Sequence, residues 1–381
     1  MKICFFITTL TKGGAERVVA NLANYLSNNN EIEKVDILNM YNTEKEYKIN
    51  SKIDIYTLDK KYIDHKKLAN NHKQPLKFLF HIIKVIKYRK LKHNLKKFLG
   101  KAEYDAIICF LPEPSFMMLS LKKYAKCPII ISDRNDPNLE YRGVRNNYLM
   151  KKLYPRAKGF VFQTEDAKNY FKDIIKCKST IIANPVNEKF VAKSFETNRE
   201  KNIVNVGRLE EQKNQKLLIQ AFSNMNKKFS DYKLIIFGDG SLKKQLEEYI
   251  EYLNLTDRVI LAGQVDNLEE KICKASLFVL SSFYEGMPNA LIEAMCLGVP
   301  SISTDCPCGG PRMLIQNGRN GILVENNNSE ELTKAMEKIL SDKEELFSIG
   351  KNAMKLSEKL NSDVINSKWI KFIKNVINEE K

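Results

Sequence analysis

Two carboxylates eight positions apart, Glu285 and Glu293, frame the stretch of this 381-residue chain in which chemistry is easiest to read. An apolar run, Leu277–Leu280, predicts a buried strand that breaks at Glu285-Gly286. Pro288 then stands where the first turn of a helix tolerates proline. The amides of Asn289, Ala290 and Leu291 open that helix without intrahelical acceptors and carry the positive end of its dipole. Such a helix start attracts an anion, and a carboxylate on either side can accept hydroxyl groups. A nucleoside diphosphate sugar is one ligand that needs both. Arg208 and Lys213, just past a predicted strand end, fit the same ligand: Arg offers forked donors to a diphosphate and Lys a point charge. Glu293 is the odd charge among Leu291, Ile292, Ala294 and Met295, and as a carboxylate on the buried side it suits the two hydroxyls of a ribose. A surface pair on a loop explains Arg208 and Lys213 equally well when each is taken alone. The combination favours one shared anion site.

These residues need strands and helix starts to hold them, and the chain supplies two series of both. Its length exceeds one ordinary core, so two domains are expected. In the first half, Ile3–Thr8 predicts a strand, Thr9–Gly14 a loop, and the spacing of Val18, Val19, Leu22, Ala23 and Leu26 a helix over Ala15–Ser27. Gly13 and Gly14 would let backbone amides approach a ligand closely. Further strands are expected at Val35–Met40, Ile53–Leu58, Ala106–Phe110 (closed by Pro112 and Pro114), Pro128–Ser132, Gly159–Gln163 and Ser179–Ala183. The polar cluster Ser132–Pro137 lies at a strand's carboxyl end, where open α/β sheets bind ligands; an ordinary capped turn is the other account. The polar run Glu196–Asn202 reads as a link between domains. The second half repeats the pattern, with strands at Ile203–Val206, Leu234–Phe237, Val259–Ala262, Leu277–Leu280, Ser301–Thr304 and Ile322–Val324. Helices are expected at Gln215–Asn226, Ser241–Leu253 and over most of 329–378. The fold class is α/β, two consecutive doubly wound domains.

Composition narrows the setting. A 43% hydrophobic content suits a globular protein, and no run reaches the ~18 apolar residues of a membrane span. The N-terminal Met1–Ile7 reads as a first strand and not a signal peptide, since Lys12-Gly13-Gly14 follows where a small-residue cleavage site would stand. Eight scattered cysteines, mostly in apolar runs, look like buried thiols of a cytoplasmic protein; Cys306-Pro307-Cys308 lacks the further ligands of a zinc site. The net charge of +16 is concentrated in residues 60–101, which hold fourteen Lys or Arg against Asp64, together with all four histidines. Within it, residues 75–99 predict a helix whose apolar positions Leu79, Ile82, Ile83, Ile86, Tyr88, Leu91, Leu95 and Phe98 form a stripe against lysines. Such a helix either docks with a solvated basic face or attaches to an anionic membrane surface, where each basic residue contributes roughly 1 kcal/mol. Nucleic acid is the poorer partner, because Phe78, Phe80 and Tyr88 sit on or near the apolar stripe.

Gly13-Gly14-Ala15-Glu16-Arg17, Gly207-Arg208-Leu209 with Lys213-Asn214, Gly238-Asp239-Gly240 and Glu285…Glu293, at these separations, resemble a retaining glycosyltransferase of the GT-B fold in glycosyltransferase family 4, in its surface-polysaccharide and lipid-linked-glycan subgroup. The resemblance implies two Rossmann-like domains facing across a cleft: an acceptor-side domain over 1–185, with a terminal helix (362–381) packing back on it through Trp369, and a donor-binding domain over 200–361. It implies that Arg208 and Lys213 hold the diphosphate of a UDP-sugar, that Glu285 binds the transferred sugar, and that Glu293 binds the ribose. Gly13, Gly14, Gly238, Gly263, Val265, Asn289, Ala290 and Leu291 would line the donor. No cofactor is implied beyond the donor as substrate. Without an Asp-x-Asp motif, no metal is required. The acceptor implied is a lipid-diphosphate-linked glycan at the cytoplasmic membrane face. Many relatives carry a histidine after a strand like Ile129–Ser132; here Asp133 and Arg134 stand there, nominated as sugar or acceptor-phosphate contacts. Met313 replaces an acid common after Gly-Pro-Arg. A sugar-nucleotide epimerase, or a non-catalytic nucleotide-sugar-binding partner of another transferase, would share much of this pattern.

Overall fold

The computed structural model describes the chain except Lys12, residues 44–46, 60–73, Lys193 and 380–381; for 74–81 it describes the backbone alone. The expected features at Lys12, Asp64, His65, His72 and the side chain of His81 therefore lie outside the described residues. The chain divides into two units, one made of Met1–Phe162, Lys168–Ile182 and Asn366–Lys381, the other of Gln163–Ala167 and Ala183–Ile365.

The first unit is built on seven parallel strands, β1 (Lys2–Ile7), β2 (Lys34–Tyr41), β3 (Asp54–Asp59), β4 (Ala106–Phe110), β5 (Ile129–Ser132), β6 (Gly159–Phe162) and β7 (Lys178–Ile181), in the order β3-β2-β1-β4-β5-β6-β7. Runs such as Ala-Ile-Ile-Cys-Phe in β4 and Ile-Ile-Ile-Ser in β5 are apolar without alternation, as a sheet covered on both faces requires. The order reverses between β1 and β4, so that is the unit's topological switch point.

Helix α1 (Gly14–Leu26) buries Val18, Val19, Leu22, Ala23 and Leu26, as its periodicity predicts. Helix α2 (Gln74–Lys101) buries its apolar stripe unevenly among the described side chains: Leu91, Leu95 and Leu99 are buried, whereas Ile82, Ile83 and Val85 are each 39% exposed and Ile86 60%. Its last turns are docked, with Asn94 donating to the Leu58 carbonyl at 2.8 Å and Phe98 lying against Tyr56, and Lys87 lies over the Tyr41 ring. Helix α3 (Pro112–Ser120) corrects a reading, since Pro112 and Pro114 open a helix rather than merely closing β4.

The second unit holds six parallel strands, β8 (Glu200–Val206), β9 (Lys233–Phe237), β10 (Val259–Gly263), β11 (Ala275–Leu280), β12 (Ser301–Thr304) and β13 (Ile322–Val324), ordered β10-β9-β8-β11-β12-β13. Its core draws Ile203, Leu218, Phe222, Ile236, Leu277 and Ile302 from strands and covering helices. The polar run 196–202 is not a link between units: Glu200–Asn202 begin β8, whose edge they pair with β9 and β11. Here the order reverses between β8 and β11. Among the described residues no helix is long and apolar enough to cross a membrane.

Candidate active site at the second switch point

The loops after β8 and β11 leave neighbouring strands at the point of reversal, so their residues line one crevice for a topological reason. Hydrogen bonds stitch the two loops together. The Phe283 amide donates to the Gln212 carbonyl at 2.8 Å, Gln212 Nε2 to the Tyr284 carbonyl at 3.0 Å, and Ser281 Oγ to the Lys213 carbonyl at 3.0 Å. This frame brings Lys213 and Glu285 into an ion pair, Nζ to Oε1 2.5 Å. Ser282 Oγ donates to the same oxygen at 2.7 Å.

Glycines allow the loops to nest. A Cβ on Gly238, whose φ is +136°, would lie 2.0 Å from the Gly207 carbonyl oxygen, and one on Gly240 2.4 Å from that of Leu209. Gly238 also donates to the Gly263 carbonyl at 2.7 Å, so Gly207, Gly238 and Gly263 stand side by side at the ends of β8, β9 and β10. Val265, itself half-buried, follows in the otherwise exposed segment 264–267 after β10. Arg208 is exposed beside them. Glu210, held below the usual carboxylate range by the Ser241 amide and hydroxyl and further by Arg208, ties the β8 loop to the β9 loop.

Helix α4 (Asn289–Cys296) starts one residue later than predicted, because Pro288 is its extended N-cap (φ −77°, ψ 101°) and not its first helical residue. Asn289, Ala290 and Leu291 remain its first three amides. Asn289 Oδ1 accepts from Asn184 Nδ2 at 2.8 Å, and Asn184 Oδ1 from Gln163 Nε2 at 2.8 Å, which fixes the helix start laterally. Glu293 is buried, 5% exposed, one turn into the helix.

Sequence reasoning missed the supports of Glu285. Its amide donates to the Pro307 carbonyl at 2.6 Å and its carbonyl accepts from the Cys308 amide at 3.1 Å. Gly310 lets the backbone at Gly286 come close, since a Cβ there would lie 1.6 Å from the Gly286 oxygen. The Cys306-Pro307-Cys308 loop, weighed only as a metal site, is thus a clamp on the Glu285 main chain. Burial pushes the Cys306 thiol up to about 12, with Glu285 adding to the rise. A proline and a glycine pair facing a glutamate–glycine turn are the signals that were available.

The remaining candidates belong to the first unit. Gly13 is extended (φ −175°) and caps α1, its amide and carbonyl both bonded to Tyr47 Oη at 3.2 and 2.9 Å; Gly14 is exposed. Asp133 and Arg134, at the end of β5, are buried at 4% and 8% exposure. Asp133 accepts from Tyr141 Oη at 2.7 Å, and burial raises its carboxyl to about 7. The Arg134 guanidinium lies 5.0 Å from the Phe110 ring centre and 5.5 Å from that of Trp369, and burial lowers it to about 9. Trp369 itself, 1% exposed, stacks on Phe110 and anchors the terminal helix Ser362–Asn378.

Two family models match consecutive parts of the chain, Glycosyltransferase Family 4 over residues 12–190 and Glycosyl transferases group 1 over 186–356. The chain belongs to glycosyltransferase family 4. It is an enzyme that transfers sugar, with the GT-B fold of two Rossmann-like domains. Among the relatives of this glycosyltransferase is the GalNAc-alpha-(1->4)-GalNAc-alpha-(1->3)-diNAcBac-PP-undecaprenol alpha-1,4-N-acetyl-D-galactosaminyltransferase of Campylobacter jejuni, 29% identical over 385 residues and 99% of each chain. Sucrose-phosphate synthase from Thermosynechococcus elongatus shares its fold with a TM-score of 0.82 over 100% of both chains at 17% identity. So does the Anabaena protein Alr3699/HepE, solved in complex with UDP, with a TM-score of 0.77 over 98% of this chain and 100% of that one at 18% identity.

Proposed function

We propose that this glycosyltransferase moves a hexose or N-acetylhexosamine from a UDP-sugar, with retention of configuration, onto a lipid-diphosphate-linked glycan in surface polysaccharide synthesis. The observation that carries the reading is the meeting of Lys213, Glu285 and the start of α4 with Glu293 at one switch point. Arg208, Lys213 and the amides of Asn289, Ala290 and Leu291 would stabilise the charge that grows on the departing diphosphate, and Glu293 would accept the ribose hydroxyls. Glu285 would accept hydroxyls of the sugar as it leaves. In this scheme the acceptor attacks the face that the diphosphate leaves, and a phosphate oxygen takes the acceptor's proton. The protein's part is electrostatic and preorganised. Since cationic side chains and helix amides supply the positive charge, the scheme needs no metal. The lipid-linked acceptor rests on the name of the Campylobacter relative, whose printed acceptor ends in PP-undecaprenol.

Attachment to the cytoplasmic membrane face is part of the proposal. The exposed Ile82, Ile83, Val85 and Ile86, interspersed with Lys84 and Lys87, support it. Sedimentation with anionic vesicles but not with neutral ones is the expected result.

The direct test is UDP release driven by a panel of UDP-sugars, with a lipid-diphosphate glycan present. One donor should be turned over, and Glu285→Ala and Lys213→Ala should each lose on the order of 10²–10³ in turnover. Turnover by both variants at the wild-type rate would overturn the site assignment.

A further inference from the structure

Lys213 is asked to serve two partners. In the described structure its ammonium is already taken by Glu285, yet the donor reading assigns it to a diphosphate. We propose that this ion pair is a latch: the incoming diphosphate draws the ammonium away, and only then is the Glu285 carboxylate presented to the sugar. The inference rests on the donor-site reading above.

The two partners differ in freedom. Glu285 is held from its main chain by Pro307 and Cys308, and from its Oε1 by Ser282 at 2.7 Å. Its side chain is 7% exposed, against 19% for Lys213. The Lys213 main chain is fixed through its carbonyl to Ser281, and its Cγ lies 3.2 Å from where a Cβ on Gly207 would stand. Beyond that, a flexible stem carries an ammonium with three rotatable donors. The ammonium can therefore move while the carboxylate stays. Both hydrogen bonds on the carboxylate fall on Oε1, so departure of Lys213 leaves Ser282 as its tether and the charge open to a hydroxyl. Ser282 is thus a positioning residue, acting through Glu285.

The latch has a directional consequence. A free nucleoside diphosphate must break the ion pair and brings no sugar hydroxyl to replace it, whereas the intact donor brings one. Glu285 should oppose the binding of UDP and support the binding of UDP-sugar. After transfer, re-formation of the pair helps to expel the product.

Calorimetric titration with UDP, GDP serving as control, tests this in the full-length wild type, Glu285→Gln, Lys213→Ala and the double variant. Glu285→Gln should bind UDP about fivefold more tightly than wild type, a coupling at the low end of the usual range. The gain should vanish in the Lys213→Ala background, because it acts through that side chain. An unchanged or weaker affinity in Glu285→Gln, or a gain that persists without Lys213, overturns the latch. Failure of the wild type to bind UDP or GDP overturns the donor-site reading and the latch with it. Ser282→Ala gives a second test if Glu285→Gln does not fold. It keeps the ion pair, so UDP affinity should stay within about twofold while KM for the sugar donor rises and kcat falls. Equal weakening of UDP and UDP-sugar overturns the proposal. Ser282→Thr, which keeps the hydroxyl, should restore the donor KM.

Discussion

The two sheets of this glycosyltransferase carry charge at the carboxyl ends of their strands in opposite ways. In the second unit, Lys213 and Glu285 sit on loops braced by backbone hydrogen bonds, and Arg208 is exposed. In the first, Asp133 and Arg134 are sunk among Tyr141, Tyr154, Phe110 and Trp369, which supply hydroxyl donors and ring faces but little solvent. The difference lies in the partners: Glu285, as buried as Asp133, meets an ammonium and a serine hydroxyl, whereas Asp133 and Arg134 meet phenol hydroxyls and aromatic faces. Desolvation acts on both members of the first pair, raising the acid and lowering the base, as expected where surroundings stabilise the charged forms poorly. Asp133 and Arg134, nominated as sugar or acceptor-phosphate contacts, are thus engaged by Tyr141, Phe110 and Trp369.

Substitutions should break the two regions differently. The largest effect is expected at Gly310: Gly310→Ala puts a methyl group 1.6 Å from the Gly286 oxygen and must shift the backbone beside Glu285. Such backbone clashes cost on the order of 3 kcal/mol or more, seen as a lowered Tm and lost UDP binding. At Gly263 the contrast is sharp, because the space around it is open and only its φ of +68° is unfavourable for alanine. Gly263→Ala should cost about 1 kcal/mol.

Asp133→Asn should act on stability through pH. A folded-state pKa raised by burial from the ordinary 3.8 to about 7 means that the native state keeps a proton the unfolded chain gives up. The contribution is fully present below about pH 4 and is lost as pH rises through 7. Wild type should therefore lose stability relative to Asp133→Asn between pH 4 and 7, by up to a few kcal/mol, followed by thermal melts across that range. A constant difference would show that Asp133 stays charged. An effect as small as that of Gly263→Ala is expected for Arg134→Lys, which keeps the charge but gives up the planar stack on Phe110 and Trp369, at about 1 kcal/mol with UDP affinity unchanged.

Much of this was legible in the chain. All thirteen described strands fall where apolar runs predict them; in the central strands, such as β4, β5 and β11, burial on both faces makes that signal unbroken. Glu285, Glu293, Arg208 and Lys213 could be picked out as charges where strands end. What pattern could not reveal depends on contacts between distant segments. The clamp of Pro307 and Cys308 on Glu285, and the Asn184 bond to Asn289, join residues that periodicity does not relate. Helix α2 shows the same limit: spacing says that a helix could bury a face, not how much of that face meets a surface. The polar run 196–202 misled because an edge of β8 is polar where its strand begins.

The central claim is that the second switch point, and not the buried pair in the first unit, holds the nucleoside diphosphate. A calorimetric titration of UDP into wild type, Glu293→Ala and Asp133→Asn tests it most directly. Saturable one-to-one binding to wild type is expected, with at least about tenfold weaker binding to Glu293→Ala as a buried acceptor is lost, and wild-type affinity in Asp133→Asn. Equal affinity in wild type and Glu293→Ala, or a loss confined to Asp133→Asn, would contradict it.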